Sequence, residues 1–115
     1  MAFQLGLKEM ILNNLVKIIK DRKKSISKDS YTYSLFEKGL GRCGQKFGEE
    51  AVELIVASLE GDQKHAKQEA ADVLFHYLVL LEAQEIPLDE ILIILEKRMK
   101  ISGLEEKLAR HKDES

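Results

Sequence analysis

The sequence predicts an all-α fold, an antiparallel helical bundle of about four main helices, and three observations lead there. Proline occurs once, at Pro87, and aromatic residues make up only 6% of the chain. Leu, Ile, Glu, Lys and Ala dominate, a composition that favours helix over sheet. Apolar residues recur at three-and-four spacing, the period of one helix face. With 115 residues, 44% of them hydrophobic, the chain is sized for one domain over residues 1–115 with a modest core.

The elements follow in order. In MAFQLGLKEMILNNLVKIIK the apolar positions Leu7, Ile11, Leu15 and Ile18 or Ile19 are interrupted by Lys8, Glu9, Asn13, Asn14 and Lys17. That pattern predicts an amphipathic helix over about Leu7–Lys20 rather than a signal peptide. The polar stretch DRKKSISKDSYTYS, rich in capping residues, reads as a loop, and LFEKG as a short helical turn after it. Gly39, Gly41, Gly44 and Gly48 then lead into the second main helix, and glycine's low helix propensity leaves open whether Gly41 and Gly44 break it. Gly61 closes that helix and Asp62 caps the third, which runs to about Gln84. Pro87 stops the third and opens a fourth through Leu88, Ile91, Leu92, Leu95 and Met99. The tail SGLEEKLARHKDES reads as a frayed end or a short helix. Because the connections at Gly61 and Pro87 are short, consecutive helices are expected to be antiparallel neighbours.

Charge and cysteine content narrow the function classes. A net charge of -2 from 18 basic and 20 acidic residues sets up no global field towards nucleic acid or an anionic membrane. No apolar run approaches the roughly 18 residues that suggest a membrane span. The one cysteine, Cys43, has no internal disulfide partner, which fits a reducing compartment and a packing thiol. A soluble, cytoplasmic protein is expected, with neither nucleic acid nor membrane as its partner.

Two stretches carry the chemistry. GEEAVELIV places Glu49, Glu50 and Glu53 in an otherwise apolar run, and QEAADVLFHYLVLL places Glu69 and Asp72 ahead of another. A helix turns about 100° per residue, so Glu50 and Glu53 share one side, as do Glu69 and Asp72 on the next helix. On antiparallel helices an ExxE and an ExxD can bring these acids together across one groove, where their repulsion calls for a cation. Oxygen-only ligands favour Mg²⁺, or Mn²⁺ in its place, over zinc. A di-iron bundle would need Glu-x-x-His, yet His65, His76 and His111 follow Asp62, Val73 and Leu108 at that spacing. His76, four residues past Asp72, reads as a core histidine or one behind the ligands. The alternative for the acids is a solvated face with ordinary ion pairs, which the apolar flanks Ala51, Val52, Leu54, Ile55 and Val56 weigh against.

Lys46 lies four residues before Glu50, and Lys38 and Arg42 continue that spacing backwards as a basic stripe suited to phosphate. Neither a Walker-type GxxxxGK[ST] nor a GxGxxG is present.

Taken together, SYTYSLFEKG, KFGEEAVELIVAS, EAADVLFHYLVLL, LEKR and SGLEEKLAR resemble the phosphoribosyl-ATP pyrophosphohydrolase family, over about Asp21–Arg110. That family belongs to the all-α, MazG-like nucleoside triphosphate pyrophosphohydrolases, whose mark is ExxE followed by ExxD. The resemblance implies a MazG-like bundle assembling as a homodimer, and the stand-alone rather than the bifunctional form. It implies hydrolysis of phosphoribosyl-ATP to phosphoribosyl-AMP and pyrophosphate, the second step of histidine biosynthesis. Carried over, Glu50, Glu53, Glu69 and Asp72 correspond to metal ligands and Glu49 to a residue that orients or deprotonates the attacking water. Arg22, Lys23, Ser30, Tyr31 and Thr32 offer cations, hydroxyls and a ring suited to a ribose phosphate and a purine, so the loop holding them is expected to close over the substrate. Lys38, Arg42 and Lys46 are expected to meet phosphate. Two alternatives remain: a relative acting on another nucleoside triphosphate, and a catalytically silent helical dimerisation module.

Overall fold

The structure, a computed structural model, describes residues 2–25, 30–100 and 110, and among these it is helical without a strand. Five helices follow one another: α1 Ala2–Lys24, α2 Tyr31–Lys38, α3 Leu40–Glu60, α4 Gln63–Ala83 and α5 Leu88–Lys100. The expected tail SGLEEKLARHKDES, apart from Arg110, and residues 26–29 lie outside the described residues.

Helix α1 is longer than expected, and its buried stripe keeps Leu15 and Ile19 of the expected one but not Leu7 or Ile11. Arg22, Lys23 and Lys24 fill its last turn, where cations complement the negative end of the helix dipole, so DRKK continues the helix instead of opening a loop. Ile19 is buried, with Leu12, Leu15 and Val16 packed beside it. Leu7, Ile11 and Ile18, by contrast, are 49%, 62% and 50% exposed. The segment carries two overlapping apolar frames at helical spacing, and only the frame of Leu12, Leu15, Val16 and Ile19 reaches the core.

Helix α2 starts inside the expected loop. The Ser30 Oγ accepts a hydrogen bond from the Tyr33 N–H at 3.1 Å, an N-cap that lets Tyr31 and Thr32 enter the helix. Gly39, at φ 99°, separates α2 from α3 and sends its N–H back to the Leu35 and Phe36 carbonyls. From Leu40 the α3 helix runs unbroken through Gly41, Gly44 and Gly48, which resolves the question those glycines raised. Each costs about 1 kcal/mol of helix propensity relative to alanine. The tertiary packing of Cys43 and Ala57, both wholly buried, offsets that cost. Cys43 donates its S–H to the Leu35 carbonyl at 3.5 Å, and burial pushes its thiol pKa up, as suits a packing group rather than a nucleophile.

A Schellman-type turn joins α3 to α4. Gly61 takes the left-handed φ of 77°, and the N–H groups of Gly61 and Asp62 satisfy the Ser58 and Ala57 carbonyls. Asp62 then caps α4 by accepting from the His65 N–H at 3.0 Å. The two 21-residue helices form the expected antiparallel hairpin. Ile19, Leu35, Cys43, Leu78 and Val79 make the core between α1, α2, α3 and α4. Helix α5 opens after Pro87 as expected; it adds Leu88 to the core and leaves Leu92, Leu95 and Met99 45%, 46% and 79% exposed. No described helix is long and apolar enough to cross a membrane.

Candidate active site

The α3–α4 hairpin brings the expected acids together. One carboxylate oxygen each from Glu50, Glu69 and Asp72 lies within 4.8 Å of the other two. Glu50 and Glu69 are almost covered, their side chains 13% and 12% exposed, while Asp72 opens to solvent. Glu53, one turn from Glu50, lies beside them. Its pKa is held above the ordinary glutamate value, first by a hydrogen bond shared with Glu69 and then by the charges of Glu50 and Glu69. A carboxylate lifted in this way by its acidic neighbours marks an excess of negative charge.

Cations and polar groups rim the cluster unevenly. The Lys46 Nζ stands 3.5 Å from Glu50 and 3.4 Å from Glu49, and Gln45 donates to Glu49 at 3.1 Å. Partial burial pulls the Lys46 pKa down, but the Tyr31 phenol, the Glu49 hydrogen bond and the charges of Glu50 and Glu49 together raise it above the ordinary lysine value. Lys46 is thus held as a cation at the edge of the acids. On α4, His65 meets one oxygen of Glu69 at 3.1 Å, whereas the other oxygen, Oε2, is buried with no hydrogen-bond partner among the described residues. His65 is a partner that motif reading passed over, although its spacing four residues before Glu69 is visible in the sequence.

That orphaned oxygen is the test of whether a metal suits the site. A buried carboxylate oxygen without a donor costs free energy unless a cation completes it. The surrounding donors are all carboxylate oxygens, the set that hard ions prefer. Glu50, Glu69 and Asp72 therefore fit a divalent metal of the Mg²⁺ or Mn²⁺ kind.

The other expected residues fall in two groups. Tyr31, at the start of α2, meets the ring of His76 edge-on with centroids 5.9 Å apart and lies close enough to influence Lys46. His76 is 5% exposed, and its pKa is lowered chiefly by burial, with Glu50 and Asp72 opposing and Lys46 adding to the fall. Thr32 is buried and Ser30 is committed to capping α2. Arg42 shares α3 with Lys46, but Lys38 closes α2 on the other side of Gly39, so the expected basic stripe does not run on one helix. Lys23 is turned elsewhere. Its Nζ donates to the Glu82 carbonyl at 2.9 Å and lies 3.9 Å from Glu85, about 15 Å along α4 from Asp72 at 1.5 Å per residue. Arg22 lines a shallow surface concavity with Ile18, Asp21 and Ser25.

Comparison with known proteins shows the family. The family model for phosphoribosyl-ATP pyrophosphohydrolase matches residues 12–99. The chain is 45% identical to phosphoribosyl-ATP pyrophosphatase 1 of Rhodopseudomonas palustris, over 89% of this chain and 95% of that protein. It is 44% identical to the phosphoribosyl-ATP pyrophosphatase of Nitrobacter hamburgensis, over 89% and 95%. It is 46% identical to phosphoribosyl-ATP pyrophosphatase 1 of Bradyrhizobium diazoefficiens, over 86% and 93%. With a helical hairpin that converges its acids on one groove and a match over most of its length, the chain belongs to the phosphoribosyl-ATP pyrophosphohydrolase family.

Proposed function

We infer that this protein hydrolyses phosphoribosyl-ATP to phosphoribosyl-AMP and pyrophosphate, the second step of histidine biosynthesis, in a reaction that depends on a divalent metal. The observation that carries the reading is the convergence of Glu50, Glu69 and Asp72 within 4.8 Å, with a buried oxygen of Glu69 that has no partner among the described residues.

Glu50, Glu53, Glu69 and Asp72 hold the ion, Mg²⁺ or Mn²⁺. When bound, it neutralises these carboxylates and polarises substrate phosphate oxygens. Water bonds to the α-phosphorus, the bond from that phosphorus to the bridging oxygen of the β-phosphate breaks, and pyrophosphate leaves. Glu49 accepts the proton that the water gives up, and the contacts of its carboxylate with Gln45 and Lys46 hold it in place. Lys46, with Arg42 a turn away, offsets the phosphate charge. Tyr31 supplies a ring beside that cation for the purine or ribose. Ser30 and Thr32 act at the substrate through α2, whose first turn they build, while Arg22, Lys23 and Lys38 supply cations from α1 and α2.

The protein works as a homodimer in the cytoplasm. Val52 and Ile55 on α3, Leu74 on α4 and Leu92 and Leu95 on α5 are all between 45% and 59% exposed, more apolar surface than a lone helical chain of this size leaves in water. Sedimentation at micromolar concentration is expected to give the mass of two chains, and a monomer would refute the dimer.

A steady-state pyrophosphate-release assay tests the activity. Phosphoribosyl-ATP with Mg²⁺ or Mn²⁺ is expected to turn over faster than any member of a panel of nucleoside triphosphates, and chelation is expected to stop it. Faster release from another triphosphate would overturn the substrate, and undiminished release in chelator would overturn the metal.

A further inference from the structure

Tyr31 sits in a position that α2 alone cannot fix. The helix has 8 residues, too few to be stable by itself, and Tyr31 is its first. It is 51% exposed, so most of its ring lacks a wall. The residue that meets it from α4 is His76, buried to 5% exposure, with its ring edge-on to Tyr31 at an interplanar angle of 84°. His76 also meets the ring of its neighbour Phe75 edge-on, with centroids 5.1 Å apart and an interplanar angle of 78°.

The His76 Nδ1 is buried and makes no hydrogen bond with any described residue. At that atom the imidazole contributes shape and ring electrostatics rather than a polar link. Edge-to-face contact is the arrangement that aromatic quadrupoles favour, and it fixes an angle as well as a distance. An aliphatic residue would fill the same space without setting that angle.

We propose that His76 is a positioning residue: its buried ring seats Tyr31 at the mouth of the carboxylate cluster, next to Lys46, and so governs how tightly the nucleotide binds. The inference rests on the reading that this cluster hydrolyses phosphoribosyl-ATP. His76 acts through Tyr31. The metal ligands one turn earlier on α4 do not depend on it.

The experiment is a double-mutant cycle with His76→Leu and Tyr31→Leu, reading KM and kcat for phosphoribosyl-ATP, the Kd of Mn²⁺ by calorimetry, and thermal unfolding. Each single variant is expected to raise KM about tenfold, a size that coupled neighbours reach, with kcat changed less than about threefold. The double variant is expected to be no worse than Tyr31→Leu alone, because the seat has no purpose once the ring is gone. Mn²⁺ affinity is expected to stay within about twofold of the parent. His76→Phe, which keeps an aromatic edge and gives up no hydrogen bond at Nδ1, is expected to restore most of the parent KM.

Multiplicative effects in the double variant would overturn the proposal, as would a Mn²⁺ Kd that moves as far as KM, or a His76→Phe variant as impaired as His76→Leu. Tyr31 is exposed, so its variant folds whatever happens at position 76, and a parent-like KM in Tyr31→Leu would refute the proposal by itself. The parent enzyme separates the two layers: if it fails to release pyrophosphate from phosphoribosyl-ATP the functional reading falls, and if it succeeds while the cycle is multiplicative only the seating role falls.

Discussion

The two halves of α4 are built on opposite principles. Its first half carries Glu69 and Asp72, with an oxygen of Glu69 buried and unpartnered among the described residues and Glu53 close by across the groove. Its second half carries Leu78, Val79 and Leu81, all buried, and ends with its carbonyls satisfied. Ile86 and Glu85 return N–H groups to Leu81 and Glu82, and Lys23 adds an ammonium to the Glu82 carbonyl. One half leaves a carboxylate oxygen that a ligand can complete, whereas the other, apart from the His76 ring with its unpartnered Nδ1, is apolar and closed. Metal binding and stability should therefore respond separately to changes in the two halves.

The largest effect is expected in the first half. Asp72→Asn or Glu53→Gln should lower turnover by about 10²- to 10³-fold or more, the scale of losing one charged partner in an active site. Helical content and melting temperature should hold or rise, because each change also relieves repulsion among the acids. Pyrophosphate release and thermal unfolding measured side by side check this. Full activity in either variant would remove the metal assignment.

Leu78→Ala is the mirror experiment. Leu78 is 4% exposed in the core, so truncation should destabilise the fold by about 2–5 kcal/mol. Denaturant unfolding measures the loss, while the Mn²⁺ Kd of the folded fraction should remain that of the parent. A shift in metal affinity as large as the loss of stability would show that the halves are not independent.

The uneven legibility of the sequence follows the same division. The hairpin was readable because its signals are local: Gly61 and Asp62 mark the turn, and ExxE and ExxD place acids on one side of each helix. Glycines in α3 gave an ambiguous start because propensity is a local quantity, whereas burial of Cys43 and Ala57 is not. In α1, two apolar frames competed, and only tertiary contact selects Leu12, Leu15, Val16 and Ile19. DRKK was read as loop because its charges look like a solvated run, yet Lys23 finds its carbonyl 59 residues further along the chain. The meeting of Tyr31 with His76 is equally non-local. No spacing rule connects a residue in one helix to a ring two helices later.

Acidity distinguishes the halves in a graded way. Glu53 has its folded-state pKa raised from 4.5 by the hydrogen bond to Glu69 and the charges of Glu50 and Glu69, so in the metal-free protein it takes up a proton at higher pH than an unperturbed glutamate does. Its contribution to stability is present at low pH and is lost as pH rises through the shifted value. Metal binding must expel that proton, so affinity should fall with pH by up to about tenfold per unit, starting above the ordinary glutamate range. Titrating Mn²⁺ affinity against pH checks the direction. Glu53→Gln should flatten the profile in that window, and an unchanged profile would place the proton elsewhere.

A smaller effect tests the sealed end. Lys23→Met removes both the donor to Glu82 and the ammonium that stands 5.7 Å from the Phe36 ring centroid, and should cost about 1–2 kcal/mol. The partner at Glu85 adds little, since that carboxylate is 85% exposed. Unfolding gives the cost, and KM for phosphoribosyl-ATP decides between the two roles for this lysine. An unchanged KM leaves Lys23 as a latch at the end of α4, and a raised KM returns it to the substrate.

The smallest effects come from glycines of the hairpin, and they have opposite signs. A Cβ at Gly41 would meet nothing within 4 Å, and the residue is helical, so Gly41→Ala should stabilise by about 0.5–1 kcal/mol through the unfolded chain's lost freedom. Gly61 also has open space around it, but its φ of 77° is left-handed, where an L side chain crowds the following carbonyl. Gly61→Ala should therefore cost about 1–2 kcal/mol even though no neighbour is touched. The pair separates backbone strain from packing, since both sites are sterically empty. Because Gly61 sets the turn that aligns Glu50 with Glu69, its variant should also weaken Mn²⁺ binding, which Gly41→Ala should leave alone. Equal and opposite shifts in melting temperature with unaltered metal affinity in both variants would mean that the turn closes the hairpin without setting its register.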